Sequence, residues 1–281
     1  MAFLDWIRRR RISVPLSMGA LSVIALVWVN AGEQPHQTTI ASRNWLKPPK
    51  AEAPRPTTCP PIQDPDPLMG PRTRMPGRWK GLNRVSRSLP IVVMAGHADS
   101  QKMAGSGTPG YAVDVLQQNP MDSRMRDELF WNFEVQKEVV RLGQQRGLNI
   151  TSYTPPALTI SNHADPRTNW SQAKKRSARG EYILEIHFDA YSPYGFGSGL
   201  IPAINRPLNA VDESLANAFG RFPRDFRGGL GGPRRGIGIL EIGMLQGELE
   251  RRLRDSNQRQ ETIACLAMRV VNALAKGVGS D

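Results

Sequence analysis

A chain of 281 residues with 40% hydrophobic and 22% charged side chains can fold one domain with extensions, and it is too apolar to be disordered throughout. Its formal net charge is +12, of which residues 1–31 carry +3, residues 32–90 carry +6 and the rest only +3. Because most of the excess charge lies before the folded part, the charge distribution argues against a basic DNA-reading domain, and we expect no nucleic-acid partner. Two cysteines exclude a disulfide scaffold and a thiolate zinc cluster.

The N-terminus resembles a membrane-targeting segment. Four arginines at residues 8–11 precede twenty uncharged residues, 12–31, which is just enough to cross a hydrocarbon core of about 30 Å. The arginines should stay cytoplasmic, so we expect the chain after residue 31 to be exported to the periplasm or cell envelope. Pro15 shortens the apolar run and Ala31 suits a signal peptidase, so residues 1–31 are either a cleaved signal peptide or a retained inner-membrane anchor.

Residues 32–89 contain 11 of the 23 prolines. Proline fixes φ and removes a backbone donor, so this stretch is predicted to be an extended, basic linker rather than part of a core. Cys59 falls inside it and is interpreted as an inert residue in a solvated linker. The linker separates residues 1–31 from the domain predicted at residues 90–281.

From residue 90 the pattern alternates between strands and helices. A β-branched run, IVVMA, follows Pro90, and the last helical stretch contains Cys265, which is interpreted as a packing residue. This alternation predicts a single α/β domain whose mostly parallel, twisted sheet is flanked by helices. The further strands are expected at residues 149–154, 182–188 and 238–243, and the helices at about 124–147, 166–179 and 255–276.

Candidate functional residues lie where these strands end, which is where ligands bind in such sheets. His97 follows the first strand, and His187 and Glu241 lie near the ends of two others. The apolar stripe of the 124–147 helix places Glu128 on its inward face, where a buried carboxylate needs a metal ion or an arginine as partner. Two histidines, a carboxylate and an open position are typical of a hydrolytic zinc site. Each residue alone also has an ordinary structural interpretation, such as an arginine partner for Glu241.

Four short motifs occur along the predicted domain. They are AGH at residues 95–97, ELFWN at 128–132, EIHFDA at 185–190 and LEIGM at 240–244. Together they resemble the zinc-dependent N-acetylmuramoyl-L-alanine amidases, in which a strand ending in AGH, an E-x-x-x-N helix start, a strand ending in S-I-H-A-N-A and a closing strand with a catalytic glutamate occur in this order. The resemblance covers about residues 90–277.

The resemblance implies a function and a site. His97, Glu128 and His187 would bind one zinc ion per chain, and Glu241 would be the catalytic acid and base. The substrate would be peptidoglycan, cut at the amide bond between N-acetylmuramic acid and L-alanine. A proline-rich linker after a membrane segment would let the domain reach the cell wall, and a protein activator is left open.

The chain departs from the family pattern after both histidines. Ala98-Asp99 replaces the usual glycines, and Phe188-Asp189 replaces A-N. Asp99 either orients a ligand histidine or faces solvent. These changes keep a second interpretation open, in which the domain retains the fold as a non-catalytic peptidoglycan-binding or regulatory module.

Two further features have alternative interpretations. His163, in a polar loop, is either a spare ligand or a surface histidine. The glycine-rich segment 228–236 is either a mobile loop on the substrate side, with Arg234 or Arg235 meeting peptide carboxylates, or a flexible connector.

Overall fold

The computed structural model describes residues 59–75 and 77–279. The predicted membrane segment and residues 32–58 of the linker lie outside the described residues. Within the described part, no helix is both long and apolar enough to cross a bilayer. The chain forms, in order, β1 (Ile91–Ala95), α1 (Tyr111–Asp114), α2 (Asp127–Gln145), β2 (Ile150–Tyr153), α3 (Asn169–Ser177), β3 (Tyr182–Asp189), β4 (Gly199–Ile201), α4 (Ala210–Phe219), β5 (Ile237–Met244), α5 (Gly247–Arg254) and α6 (Arg259–Gly277).

The five strands form one sheet in the order β2-β1-β3-β5-β4. The first four are parallel, and the three-residue β4 pairs antiparallel with β5 at the edge. Helices cover both faces, so the prediction of a single α/β domain with a mostly parallel sheet is confirmed.

Alternate residues of the central strands face opposite sides. On β3, Leu184 and Ile186 enter the larger core beneath α2, α4 and α6, whereas Ile183 enters the smaller core on the α3 side. Glu185 and His187 share the face of Ile183, at the carboxyl end of the strand. The polar positions of β3 therefore lie together on the α3 side of the sheet.

Four elements, α1, β4, α4 and α5, were not predicted. β4 has only three residues, and α1 has four, which is too short for any periodicity to be visible. In α5, Leu249 and Leu253 bury one narrow face of an otherwise charged helix. The predicted helices begin three or four residues too early, because residues such as Thr168, which caps α3, lie outside the helix with extended backbone.

The stretch before β1 packs on the domain instead of standing in solvent. Leu68 and Met69 are fully buried in the larger core, and the Trp79 indole donates to the carbonyl of Phe222. The interpretation of Cys59 as an inert linker residue is wrong, since it forms a disulfide with Cys265 of α6. The proline-rich composition of this stretch carries no information about where it packs.

A buried ion pair reinforces this docking. One carboxylate oxygen of Asp66 accepts the backbone amides of Leu68 and Met69, and the other accepts from the Arg269 guanidinium at 2.6 Å. Both side chains are almost completely buried. Every oxygen of this carboxylate therefore has a donor, which is the condition for a stable charge in the interior.

Candidate metal centre

The register of the sheet brings two of the candidate residues together. His187 on β3 and Glu241 on β5 are directly paired in the parallel ladder, so their side chains project from the same face. Gly96, just after β1, lies beside the His187 ring, where an added Cβ would come within 2.2 Å of the ring carbon Cε1. A side chain at position 96 would therefore displace the imidazole.

The three predicted ligands converge at this point. Glu128 Oε1 lies 3.2 Å from His97 Nε2 and 3.1 Å from His187 Nδ1. The donor atoms of the three side chains all lie within 4.8 Å of one another. His97 adopts φ 63°, a left-handed conformation that costs free energy in a non-glycine residue and often marks a functional position.

Glu128 is held by its position in a helix and by a hydrogen bond to its side chain. It lies in the first turn of α2, where the helix dipole favours a negative charge. Its second oxygen, Oε2, accepts the amide of Thr108 at 2.6 Å. Gly107 lets that loop approach, since a Cβ there would lie 2.7 Å from Oε2.

The pKa values of these groups reflect burial and mutual contact. Burial alone would raise the pKa of Glu128, but the charges and hydrogen bonds of His97 and His187 outweigh it and hold this pKa well below its usual range. Burial opposes a proton on His187, yet hydrogen bonds to Glu128 and Glu185 and the charges of Glu185 and Glu241 raise its pKa well above the usual value. The carboxylates around His187 thus favour a positive charge among them.

Glu185 belongs to the site and was missed as a functional residue. Its Oε2 lies 3.1 Å from His187 Nε2, and its Oε1 accepts from the Asn169 side chain at 2.9 Å. The available signal was its position: it lies two residues before His187 in a strand, and therefore on the same face.

Glu241 is placed differently from the ligands. Burial is the main reason that its pKa is raised to about 8, with further contributions from the charges of Asp189 and Glu128, while His187 and Arg227 oppose the shift. Its Oε2 is buried and has no hydrogen-bond partner among the described residues. A carboxylate of this kind can take up and release a proton near neutral pH.

The two aspartates of the altered motifs have structural contacts. Asp99 accepts the backbone amide of Asn169 at the start of α3, and burial raises its pKa. It contacts neither ligand ring, so it does not orient a histidine directly. Asp189 accepts the amides of Ala190, Phe196 and Gly197 and thereby shapes the loop after β3.

His163 is exposed and lies against Trp170; it lines the cleft over the three ligands but does not belong to their cluster. Arg234 hydrogen-bonds the carbonyls of Gly228 and Gly229 in its own loop. Arg235 binds the carbonyl of Gly231 and stacks on Trp170. These arginines hold their own segment together instead of reaching into the site.

A cleft of about 680 Å³ opens over the ligands. The glycine-rich segment contributes Gly231 and Gly232 to the wall of this cleft. The basic side chain in the lining is Arg227, which has a left-handed backbone (φ 52°) and lies near the ring of Phe226. Arg227 was not predicted, because nothing in the sequence distinguishes it from the neighbouring arginines.

The donor set fits a divalent metal such as zinc. Two imidazoles and one carboxylate bring their ligand atoms close together, and all three residues line the cleft. This combination of nitrogen and oxygen ligands, with room for a further ligand, is typical of catalytic rather than structural zinc.

Comparison with solved structures finds chains similar in fold. An N-acetylmuramoyl-L-alanine amidase from Clostridium difficile 630 is 11% identical, with 66% of this chain and 95% of that chain covered and a TM-score of 0.40. The amidase AmiC2 of Nostoc punctiforme is 14% identical, with coverage of 67% and 98% and a TM-score of 0.41. The catalytic domain of CwlV from Bacillus (Paenibacillus) polymyxa is 17% identical, with coverage of 68% and 96% and a TM-score of 0.41.

No protein-family model matches the chain, and no curated protein sequence is similar to it. Identities of 11–17% with TM-scores near 0.4 are too low to assign an activity. The arrangement of the site is therefore the basis for a function.

Proposed function

We propose that this protein is a zinc-dependent hydrolase that cleaves the amide bond between N-acetylmuramic acid and L-alanine in peptidoglycan. The observation that carries the proposal is the convergence of His97, Glu128 and His187 at the floor of a cleft, with Glu241 in direct register beside them. The four motifs that resemble the zinc amidases supply the choice of substrate.

Each side chain has a defined part in this proposal. His97, Glu128 and His187 would hold the ion, and the Thr108 amide keeps Glu128 in place. Zinc bound there would supply a Lewis acid that polarises the amide carbonyl and lowers the pKa of the attacking water. The charge on Glu128 partly neutralises the ion.

Glu241 would move the proton. Ionised, it accepts a proton from the attacking water; protonated, it passes that proton to the nitrogen of the departing L-alanine. An ordinary glutamate is a weak base toward water and does not hold a proton at neutral pH, whereas burial raises the pKa of Glu241 to about 8, so that it can accept the proton and keep it until the leaving nitrogen takes it. The unpartnered oxygen of Glu241 leaves the carboxylate free for this transfer. This free carboxylate favours a catalytic domain over a domain that only binds the cell wall.

We also propose that the chain acts outside the cytoplasm. The disulfide between Cys59 and Cys265 is typical of an oxidising compartment. It agrees with the export predicted from residues 1–31, which would place the domain in the periplasm or envelope.

The test is hydrolysis of purified peptidoglycan by the full chain, followed as the release of L-alanine amino groups and of intact glycan strands. We expect turnover that a chelator stops and added zinc restores. His187→Ala should lose both the bound zinc and the activity. A zinc-loaded wild-type chain that releases no L-alanine termini from any peptidoglycan type would contradict the substrate, and a chain that binds no zinc near neutral pH would contradict the mechanism.

A further inference from the structure

Glu185 is a carboxylate in the middle of a buried strand. Only 4% of the residue is exposed, and its neighbours along β3 are apolar. Burying a carboxylate costs several kcal/mol unless donors satisfy it, so its presence here needs a reason. Among the described residues, no lysine or arginine pairs with it.

Both oxygens of Glu185 are used, each by a different neighbour. Oε2 lies 3.1 Å from Nε2 of His187, on the side of the ring that faces away from Glu128. Oε1 accepts from the Asn169 amide at 2.9 Å. The same amide nitrogen also donates to the carbonyl of Ala95 at 2.8 Å, which fixes Asn169, and through it Glu185, to the end of β1.

This arrangement has a consequence for the imidazole. A neutral imidazole carries its proton on one nitrogen and a lone pair on the other. An acceptor at Nε2 selects the form that is protonated there. The lone pair then lies on Nδ1, which is the atom that faces Glu128 and the ligand cluster.

We propose that Glu185 is a positioning residue that fixes His187 for metal binding. It selects the Nε2-protonated form and holds the ring, while Asn169 holds Glu185. The inference rests on the proposed function only in requiring that an ion binds at this site, and it adds a residue to which neither the sequence motifs nor the three-ligand cluster assign a role.

The test compares zinc affinity of the full-length protein and its variants, measured by chelator competition. Carboxylates that orient a ligand histidine typically contribute 10–100-fold to metal affinity, so Glu185→Ala should weaken zinc binding by about that factor. Glu185→Gln should recover most of the affinity, to within about fivefold of wild type, because an amide oxygen can still accept from Nε2. Asn169 Oδ1 has no partner among the described residues, and a turn of the Asn169 amide would present this acceptor to the new amide group, with the loss of the bond to Ala95.

Asp99→Asn is the matched control. It removes one negative charge from the same cleft, and Asp99 contacts Asn169 but neither histidine ring. We expect its zinc affinity to stay within about threefold of wild type, well short of the loss expected for Glu185→Ala. Equal losses in Asp99→Asn, Glu185→Gln and Glu185→Ala would show that only charge matters and would overturn the proposal.

A second readout separates positioning from folding. In zinc-loaded wild type with ¹⁵N-labelled histidine, the Nε2 proton of His187 should be visible and slow to exchange. It should exchange fast in Glu185→Ala, even though urea denaturation shows that this variant is folded. An unchanged affinity and an unchanged proton signal would overturn the role of Glu185. Zinc binding that depends on Glu185 in a chain that releases no L-alanine would overturn the proposed reaction alone.

Discussion

Two of the buried groups of charges in the described part of the molecule differ in how their oxygens are satisfied. Around Asp66, each carboxylate oxygen has a donor and the charge is balanced by Arg269. At the carboxyl ends of β3 and β5, carboxylates outnumber cations, and one oxygen of Glu241 has no partner. A buried carboxylate whose oxygens all have hydrogen-bond donors contributes to the stability of the fold. One with an unpartnered oxygen can still bind a ligand or a proton. The two groups should therefore respond differently to substitution.

The largest expected effect separates activity from stability. Glu241→Gln removes the proton carrier but none of the three ligands, so peptidoglycan turnover should fall by about 10²–10⁴-fold with zinc content unchanged. Because the ionised carboxylate is buried with an unpartnered oxygen, the free energy of unfolding at about pH 9 should stay equal or rise. Wild-type turnover by this variant would remove Glu241 from the reaction.

The opposite outcome is expected at the disulfide. It links residues 206 positions apart, and closing so long a loop in the unfolded chain is worth up to about 5 kcal/mol. Replacing both cysteines, Cys59→Ser with Cys265→Ser, should lower the free energy of unfolding by up to that amount, measured by urea denaturation. Zinc affinity should stay unchanged. Wild type in reducing buffer is the control and should match the double variant. A loss of zinc affinity would show that the two regions are coupled.

Asp66→Ala tests the fully hydrogen-bonded group around Asp66. The substitution leaves the Arg269 guanidinium buried without its partner and frees two backbone amides, which should cost about 3–5 kcal/mol of unfolding free energy. Turnover per folded molecule should be unchanged. If urea denaturation shows no loss of stability, the distinction between the two groups of charges fails.

Zinc affinity should depend on pH. Contacts with Glu128 and Glu185 raise the pKa of His187 in the metal-free site, so the ion must displace a proton from it. Affinity should therefore increase with pH by about tenfold per unit, or about 1.4 kcal/mol, while His187 remains protonated in the free site. Chelator competition at several pH values, corrected for protonation of the chelator, measures the slope. A flat profile would show that the free site holds no proton.

The smallest effect concerns Arg227. Its charge lowers the pKa of Glu241, so Arg227→Ala should move the acidic limb of the kcat/KM profile upward, by about half a pH unit or less because the arginine is exposed. Arg224→Ala is the control, since that guanidinium binds the carbonyls of Ile204 and Arg206. High salt should reduce the shift, and a downward shift would contradict the assignment.

Sequence patterns predicted most of this architecture because the central strands are long apolar runs and α2 and α6 are periodic. The ligand cluster could also be predicted, since His97, His187 and Glu241 lie at strand ends and Glu128 lies on an inward helix face. Whether those residues act as ligands and proton carrier stays a prediction until the ion is measured.

Other features depend on contacts that no local pattern encodes. The pairing of Cys59 with Cys265 and the burial of Leu68 arise from packing across the whole chain. Arg227 was not distinguishable from nearby arginines, because its difference is the absence of a carbonyl or carboxylate partner among the described residues. Glu185 could have been noticed from its spacing to His187, but its role depends on Asn169, which comes from another element.

The disulfide also makes most of the domain a covalent ring. Residues 60–264, including all five strands, lie between the two bonded cysteines. A protease that cuts the chain once anywhere in this interval cannot separate the fragments, and the nicked protein stays one molecule until it is reduced. If the chain acts outside the cytoplasm as proposed, this would keep the proposed ligand His187 on β3 and the proposed proton carrier Glu241 on β5 together after a cut in the loops between them.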